Sequence, residues 1–121
     1  MIFLCYPKCG TCQKARKWLE ANAVDFEVRD IKEERPSAEE IHAWQQASGL
    51  PLRKFFNTSG LLYKSLGLKD RLPAMSEEEQ LELLSSDGML VKRPILIGAD
   101  RVLVGFREAE WQSALIQTTE S

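Results

Sequence analysis

Histidine is almost missing from this 121-residue sequence, and cysteine is scarce. The only histidine is His42, and the three cysteines are Cys5, Cys9 and Cys12. An odd number of cysteines, and so few, excludes a secreted scaffold stapled by disulfides. Half of a zinc site is the alternative use for Cys9 and Cys12. It would need Cys5, in an apolar strand-like run, and His42, on a distant helix, so no metal site is expected. No apolar run approaches the roughly 20 residues of a membrane span. No basic stretch precedes an apolar core at the N-terminus, where Pro7-Lys8 interrupts the only candidate, so no secretory signal is expected. Charge of one sign is not in excess: 16 Lys and Arg stand against 18 Asp and Glu, a formal net charge of −2. That balance gives no general attraction to nucleic acid, and no direct nucleic-acid binding is expected. Repeats, linkers and low-complexity tracts are also lacking. These absences point to a soluble, cytoplasmic, monomeric protein with one domain spanning 1–121 and, at 44% hydrophobic residues, a real core.

What is present centres on Tyr6-Pro7-Lys8-Cys9-Gly10-Thr11-Cys12-Gln13-Lys14-Ala15-Arg16. An apolar run of strand length, Ile2 to Tyr6, precedes it. Ala15, Trp18 and Leu19 follow at helical spacing. The C-x-x-C pair therefore falls in a strand-to-helix turn, with Cys9 near the N-cap and Cys12 in the first turn. Free backbone N–H groups and the positive end of the helix favour an anion there. The placement should lower the pKa of Cys9 from the free value of about 8.5, with Lys8 and Lys14 adding positive charge. A C-x-x-C beside a β–α pattern reads as a redox pair, the two sulfurs within bonding reach. Cys5, its side chain directed into the core, reads as a small buried hydrophobe outside the disulfide.

Farther along, Asp25 to Ile31 alternates polar and apolar, predicting a half-buried strand and completing a parallel β–α–β unit. Two capping boxes, Ser37 with Glu40 and Ser76 with Glu79, open helices carrying Ile41 and Trp44 and then Leu81 and Leu84. Between them, Leu52, Phe55 and Phe56 suggest one short helix, and Leu62, Tyr63 and Leu66 a second that stops at Gly67. Residues 37–87 thus read as a helical insertion. Arg93 to Ile97 and Arg101 to Val104 are β-rich runs joined through Gly98-Ala99-Asp100, a hairpin signal. A last helix presents Trp111, Ala114 and Leu115 inward, and Gln117 to Ser121 should fray. The expected class is α/β, a mixed four-stranded sheet flanked by helices.

The β–α–β opening with Cys9-Gly10-Thr11-Cys12, the helical insertion, Lys92-Arg93-Pro94-Ile95, then a hairpin and helix resemble the family of arsenate reductases and Spx regulators. The resemblance runs from Ile2 to about Leu115 and implies a thioredoxin-like fold with a helical insertion. By that resemblance Cys9 matches the reactive cysteine, and Arg93 the arginine that helps hold an oxyanion near its sulfur. Pro94 matches the cis-proline facing the cysteine. On spacing alone, Arg93 reads equally well as a strand-end charge facing solvent. Arsenate reductases present three arginines to the arsenate. Here the first position falls at or near Asn57 and the third near Gly105-Phe106, with Arg53 and Arg107 as sequence neighbours outside the matching register. Weak arsenate reduction is the expectation.

The resemblance implies a thiol–disulfide oxidoreductase with Cys9 as nucleophile and Cys12 as resolving cysteine. Lys8, Gly10, Thr11, Arg93 and Pro94 would bind the substrate. No bound cofactor is expected; glutathione, or a thioredoxin- or glutaredoxin-type protein, would be the reductant. A reading from a different class is a redox-switched regulator in the manner of Spx, binding the RNA polymerase alpha subunit. A third is a structural domain whose cysteines are merely buried.

Overall fold

The computed structural model describes residues 1–116. Four strands and six helices follow one another as β1 (Ile2–Cys5), α1 (Gly10–Ala21), β2 (Glu27–Asp30), α2 (Ala38–Ser48), α3 (Leu61–Ser65), α4 (Leu68–Arg71), α5 (Glu77–Ser86), β3 (Ile95–Ile97), β4 (Val102–Val104) and α6 (Glu108–Leu115). Short 3-10 turns cover Leu52–Phe55, Leu72–Ala74 and Gly88–Leu90. The sheet runs β2-β1-β3-β4, with β1 parallel to β2 and antiparallel to β3, and β3 antiparallel to β4. This is the mixed four-stranded sheet expected, in a thioredoxin-like arrangement.

Alternation along β1 divides the core into two layers. Phe3 and Cys5 point to one face, where they meet Cys12, Ala15 and Leu19 of α1 and Trp111 of α6. Leu4 points to the other face and joins the insertion through Ile41, Trp44, Leu52, Phe55 and Phe56. A strand's period of 2 against a helix's 3.6 is what sorts the side chains this way. The insertion therefore covers the second face of the sheet and is not an appendage.

Both capping boxes form. Ser37 Oγ accepts from the Glu40 N–H and Ser76 Oγ from the Glu79 N–H, each at 3.1 Å, while each glutamate accepts from its serine's N–H. Gly49 and Gly67 take φ of +71° and +64°, the left-handed region in which glycine ends a helix without a Cβ penalty. Arg29 binds Glu40 with two N–H donors at 2.7 and 2.8 Å, tying β2 to α2.

Two expectations need adjustment. The second strand is only partly buried as an apolar face: β2 is the sheet's edge, and its Val28 remains 40% exposed. The strand expected from Arg93 starts later, because the chain bends at Arg93, Pro94 lies outside regular structure and β3 begins at Ile95. The expected fraying of Gln117 to Ser121 lies outside the described residues.

Candidate active site at the first strand-to-helix turn

Elementary turn chemistry shapes the loop between β1 and α1. The Cys9 N–H donates to the Tyr6 carbonyl at 2.9 Å, and the Gln13 side-chain amide donates to the Pro7 carbonyl at 3.0 Å. Cys9 has extended backbone angles (φ −89°, ψ 123°), and its carbonyl accepts the first bond of α1 from the Gln13 N–H. Cys9 is thus the N-cap. Its thiol makes no close capping hydrogen bond, yet it stands where the unpaired N–H groups of the first turn converge.

Opposing effects act on that sulfur. Burial pushes the Cys9 thiol up, but the Cys12 N–H, the Cys12 thiol, the Arg93 guanidinium and the Thr11 N–H together outweigh burial and lower its pKa. Cys12 goes the other way. It is 2% exposed, packed between α1 and the sheet. Its thiol contact with Cys5, its burial and the nearby Cys9 raise its pKa well above the ordinary thiol range, against a hydrogen bond from the Tyr6 N–H at 3.3 Å. The turn therefore moves two chemically identical groups in opposite directions, Cys9 toward the thiolate and Cys12 toward the protonated thiol.

Arg93 arrives from the opposite side. The Arg93–Pro94 peptide bond is cis. The guanidinium carbon lies 5.3 Å from the centre of the Tyr6 ring, within cation–π range. Arg93 Nε and Nη1 are buried without a hydrogen-bond partner among the described residues. Buried donors normally find acceptors, so two unpaired guanidinium nitrogens beside a thiolate former point to an anion that is not part of the chain.

The insertion supplies the far wall. Phe56 bridges Val91 in antiparallel fashion, the Asn57 N–H donates to the Leu90 carbonyl at 2.8 Å, and the Lys92 N–H donates to the Phe55 carbonyl at 2.7 Å. This short ladder holds the loop around Asn57 beside the segment leading to Arg93. On the other flank, Gly105 has φ of +76°, and its N–H donates to the Pro94 carbonyl at 2.7 Å. A Cβ there would sit 3.1 Å from Lys92 Cε. The turn at Gly105 brings Phe106 and Arg107 toward the same space, and the Trp111 indole N–H fastens it by donating to the Gly105 carbonyl at 3.1 Å.

Between these walls lies an open cavity of about 1040 Å³ lined by Cys9, Thr11 and Arg93. Its other charged lining residues are Arg53, Lys54, Lys92, Arg107 and the single acid Glu110. Asn57, Gly105 and Phe106 also line it. The remaining residues singled out in the sequence take other places. Lys8 and Gly10 are exposed on the turn outside the lining; Cys12 and Pro94 are buried behind it. Lys54 and Leu61, the latter 86% exposed on the rim, had no signal in the sequence. No group of three or more metal-ligating side chains occurs among the described residues, and no helix among them is long and apolar enough to cross a membrane.

Known proteins resemble this chain over nearly its whole length. The chain is 32% identical over 105 residues to the global transcriptional regulator Spx of Enterococcus faecalis, covering 86% of this chain and 77% of that one. Among solved structures, an ArsC family related protein from Bacteroides fragilis superposes with a TM-score of 0.90 at 52% identity, covering 93% of this chain and 94% of the other. A possible arsenate reductase from Streptococcus mutans UA159 gives a TM-score of 0.85 at 45% identity, covering 94% and 97%. The ArsC family model matches residues 4–114, a span that contains both cysteines of the turn, the whole insertion and the cis Arg93–Pro94 step. The chain belongs to the ArsC family.

Proposed function

We propose that this protein is a thiol-dependent reductase in which Cys9 attacks sulfur or an oxyanion and Cys12 resolves the product. The observation that carries this reading is the placement of Arg93, whose buried, unpartnered Nε and Nη1 accompany a Cys9 thiol held below its ordinary pKa. With a mixed disulfide as substrate, the Cys9 thiolate bonds to one sulfur, and the other leaves as a thiolate and takes a proton. Cys12 then loses its proton and attacks Cys9 Sγ, expelling the second thiolate and leaving a Cys9–Cys12 disulfide. Part of what keeps Cys12 protonated is the Cys9 charge. That charge disappears once Cys9 is covalently engaged, so the resolving thiol becomes easier to ionise when it is needed. Two thiols of glutathione, or of a thioredoxin- or glutaredoxin-type protein, return the two electrons.

Arsenate is the substrate that the family resemblance and the Streptococcus mutans relative suggest. Asn57 and Gly105-Phe106 stand where arginines are expected, but Arg53 and Arg107 line the same cavity and are the candidates to replace them. The test is turnover with arsenate and with a glutathione mixed disulfide, using glutathione and glutaredoxin as donors. Reduction of the mixed disulfide with weak arsenate turnover is expected. Efficient arsenate turnover that disappears in Arg53→Ala or Arg107→Ala would assign those residues to the oxyanion. No turnover of either substrate, with a Cys9 thiol of ordinary reactivity, would refute the reading.

A second reading follows from the similarity to Enterococcus faecalis Spx. In it the same cysteine pair is a switch that controls binding to the RNA polymerase alpha subunit. Pull-down with the alpha C-terminal domain, before and after oxidation, distinguishes it: redox-dependent capture supports the switch, and its absence leaves the reductase.

A further inference from the structure

The alternation of β1 sends Cys5 into the same apolar layer as Cys12, and Cys9 packs on the edge of that layer. The three sulfurs therefore form one cluster, not a redox pair with a bystander. Cys12 links the other two: within this cluster its thiol interacts with those of both Cys5 and Cys9. Cys5 is 4% exposed and Cys12 2%, so neither meets solvent, whereas Cys9 lines the cavity. Arg16 adds positive charge near Cys5 from α1. Asp30, which faces Cys5 in register across the β1–β2 pairing, opposes it.

We propose that Cys5 is a third redox residue, which takes Cys12 from the Cys9–Cys12 disulfide and returns Cys9 to the cavity as a free thiolate. This rests on the reductase reading above, since that chemistry supplies the disulfide. Cys5 Sγ attacks Cys12 Sγ, a Cys5–Cys12 bond forms, and the Cys9–Cys12 bond breaks with its electron pair on Cys9. The proton of Cys5 passes to the departing Cys9 sulfur, which releases it through the cavity to leave the thiolate. One disulfide is consumed and one is made, so no further oxidant or reductant enters. The direction of cleavage follows from the leaving group: exchange is faster when the expelled thiol is the more acidic one. Of the two sulfurs in the Cys9–Cys12 bond, Cys9 is the one stabilised as an anion by the first turn of α1 and by Arg93. The result is two oxidising equivalents stored where solvent cannot reach them, and recovered only when Cys9 attacks Cys12 again.

The sequence provides a clean assay, because trypsin cleavage after Lys8 separates Cys5 from Cys9 and Cys12. The intact protein is oxidised with glutathione disulfide, quenched in acid, alkylated under denaturing conditions and digested. A Cys9–Cys12 disulfide stays within one peptide. A Cys5–Cys12 disulfide joins two peptides and leaves Cys9 alkylated. The joined species is expected in the wild type, and Cys5→Ala should abolish it and leave Cys9 fully oxidised. In Cys9→Ser no thiol is left at the cavity, so glutathione disulfide should leave Cys5 and Cys12 reduced; their ready oxidation there would overturn the entry of oxidation through Cys9. Quantitative alkylation of Cys5 in the oxidised wild type would overturn the proposal while a Cys9–Cys12 peptide kept the reductase reading intact. Absence of any intramolecular disulfide in the wild type would overturn both. Should Cys9→Ser not fold, the wild-type and Cys5→Ala peptide maps decide alone.

Discussion

Replacing Arg93 by methionine, and separately by lysine, probes the centre of the site. Methionine keeps the apolar stem over Tyr6 and deletes the guanidinium; lysine keeps the charge and deletes the planar fork. Two consequences follow from the geometry. The Arg93 contact is one of those that hold the Cys9 pKa down, so Arg93→Met should shift the pH profile of Cys9 alkylation by neutral iodoacetamide upward, leaving less thiolate at pH 7. The buried, unpartnered Nε and Nη1 should also contact substrate. A charge-assisted hydrogen bond contributes roughly 1.5–3 kcal/mol, which corresponds to about 10- to 150-fold in kcat/KM. That loss should fall on an anionic glutathione mixed disulfide and much less on the uncharged 2-hydroxyethyl disulfide, for which only the reduced thiolate fraction counts. Arg93→Lys should restore most of the pH profile without restoring the preference for the anionic substrate. Equal losses on both disulfides, with an unmoved alkylation profile, would show that Arg93 is a structural charge and that the anion-binding argument is wrong.

Cys9→Ser should eliminate the rapidly alkylated thiol and Cys12→Ser should retain it, as measured by iodoacetamide rates across pH on each variant; the reverse would exchange their roles. Gly88→Ala should destabilise the fold by about 3 kcal/mol, read as a shifted urea midpoint, because its Cβ would lie 2.0 Å from the Ile31 carbonyl oxygen and backbone must move. Arg29 holds the Glu40 carboxyl down at about 2, against the ordinary 4.5, so that pair's contribution is present above pH 4.5 and is lost as pH falls toward 2. With 40% of the Glu40 side chain exposed, Arg29→Ala should cost only about 1 kcal/mol at pH 7. Its effect should shrink as pH falls through 2; the Arg29 guanidinium also stands 5.9 Å from the centre of the Trp44 ring, and a loss independent of pH would place its role in that packing.

The legible parts of the fold were those written in local chemistry. Ser37 with Glu40 and Ser76 with Glu79 announce their helices because the bonds they make are three residues apart, and both boxes formed. Gly67 ends α3 through a backbone conformation that needs no tertiary partner. Alternation alone could not reveal that β2 lies at the sheet edge, since Val28 looks the same in sequence whether or not a neighbour covers it. The pairing of Phe56 with Val91 was equally hidden. It is a single bridge between segments far apart in the chain, and neither segment carries the periodicity of a strand.

The site divides along the same line. Cys9 at an N-cap follows from the order of strand, turn and helix, so its role could be argued from adjacent residues. Arg93 could not be so argued, for a basic residue before a strand has the same local pattern whether it faces solvent or a sulfur. Arg53 and Arg107 show the consequence most plainly. They fall out of register with the arginines that the resemblance predicts, which in sequence reads as a loss of positive charge. In the folded chain, the ladder at Phe56 and the positive-φ turn at Gly105 bring the segments that carry both to the wall of the Cys9 cavity. An electrostatic field depends on where charges stand around the reacting atom, not on their position along the chain. Four further cations (Arg53, Lys54, Lys92 and Arg107) and one acid (Glu110) accompany Arg93 around that cavity. The excess of positive charge around Cys9 therefore survives the displaced register, in a cavity far larger than an arsenate ion requires.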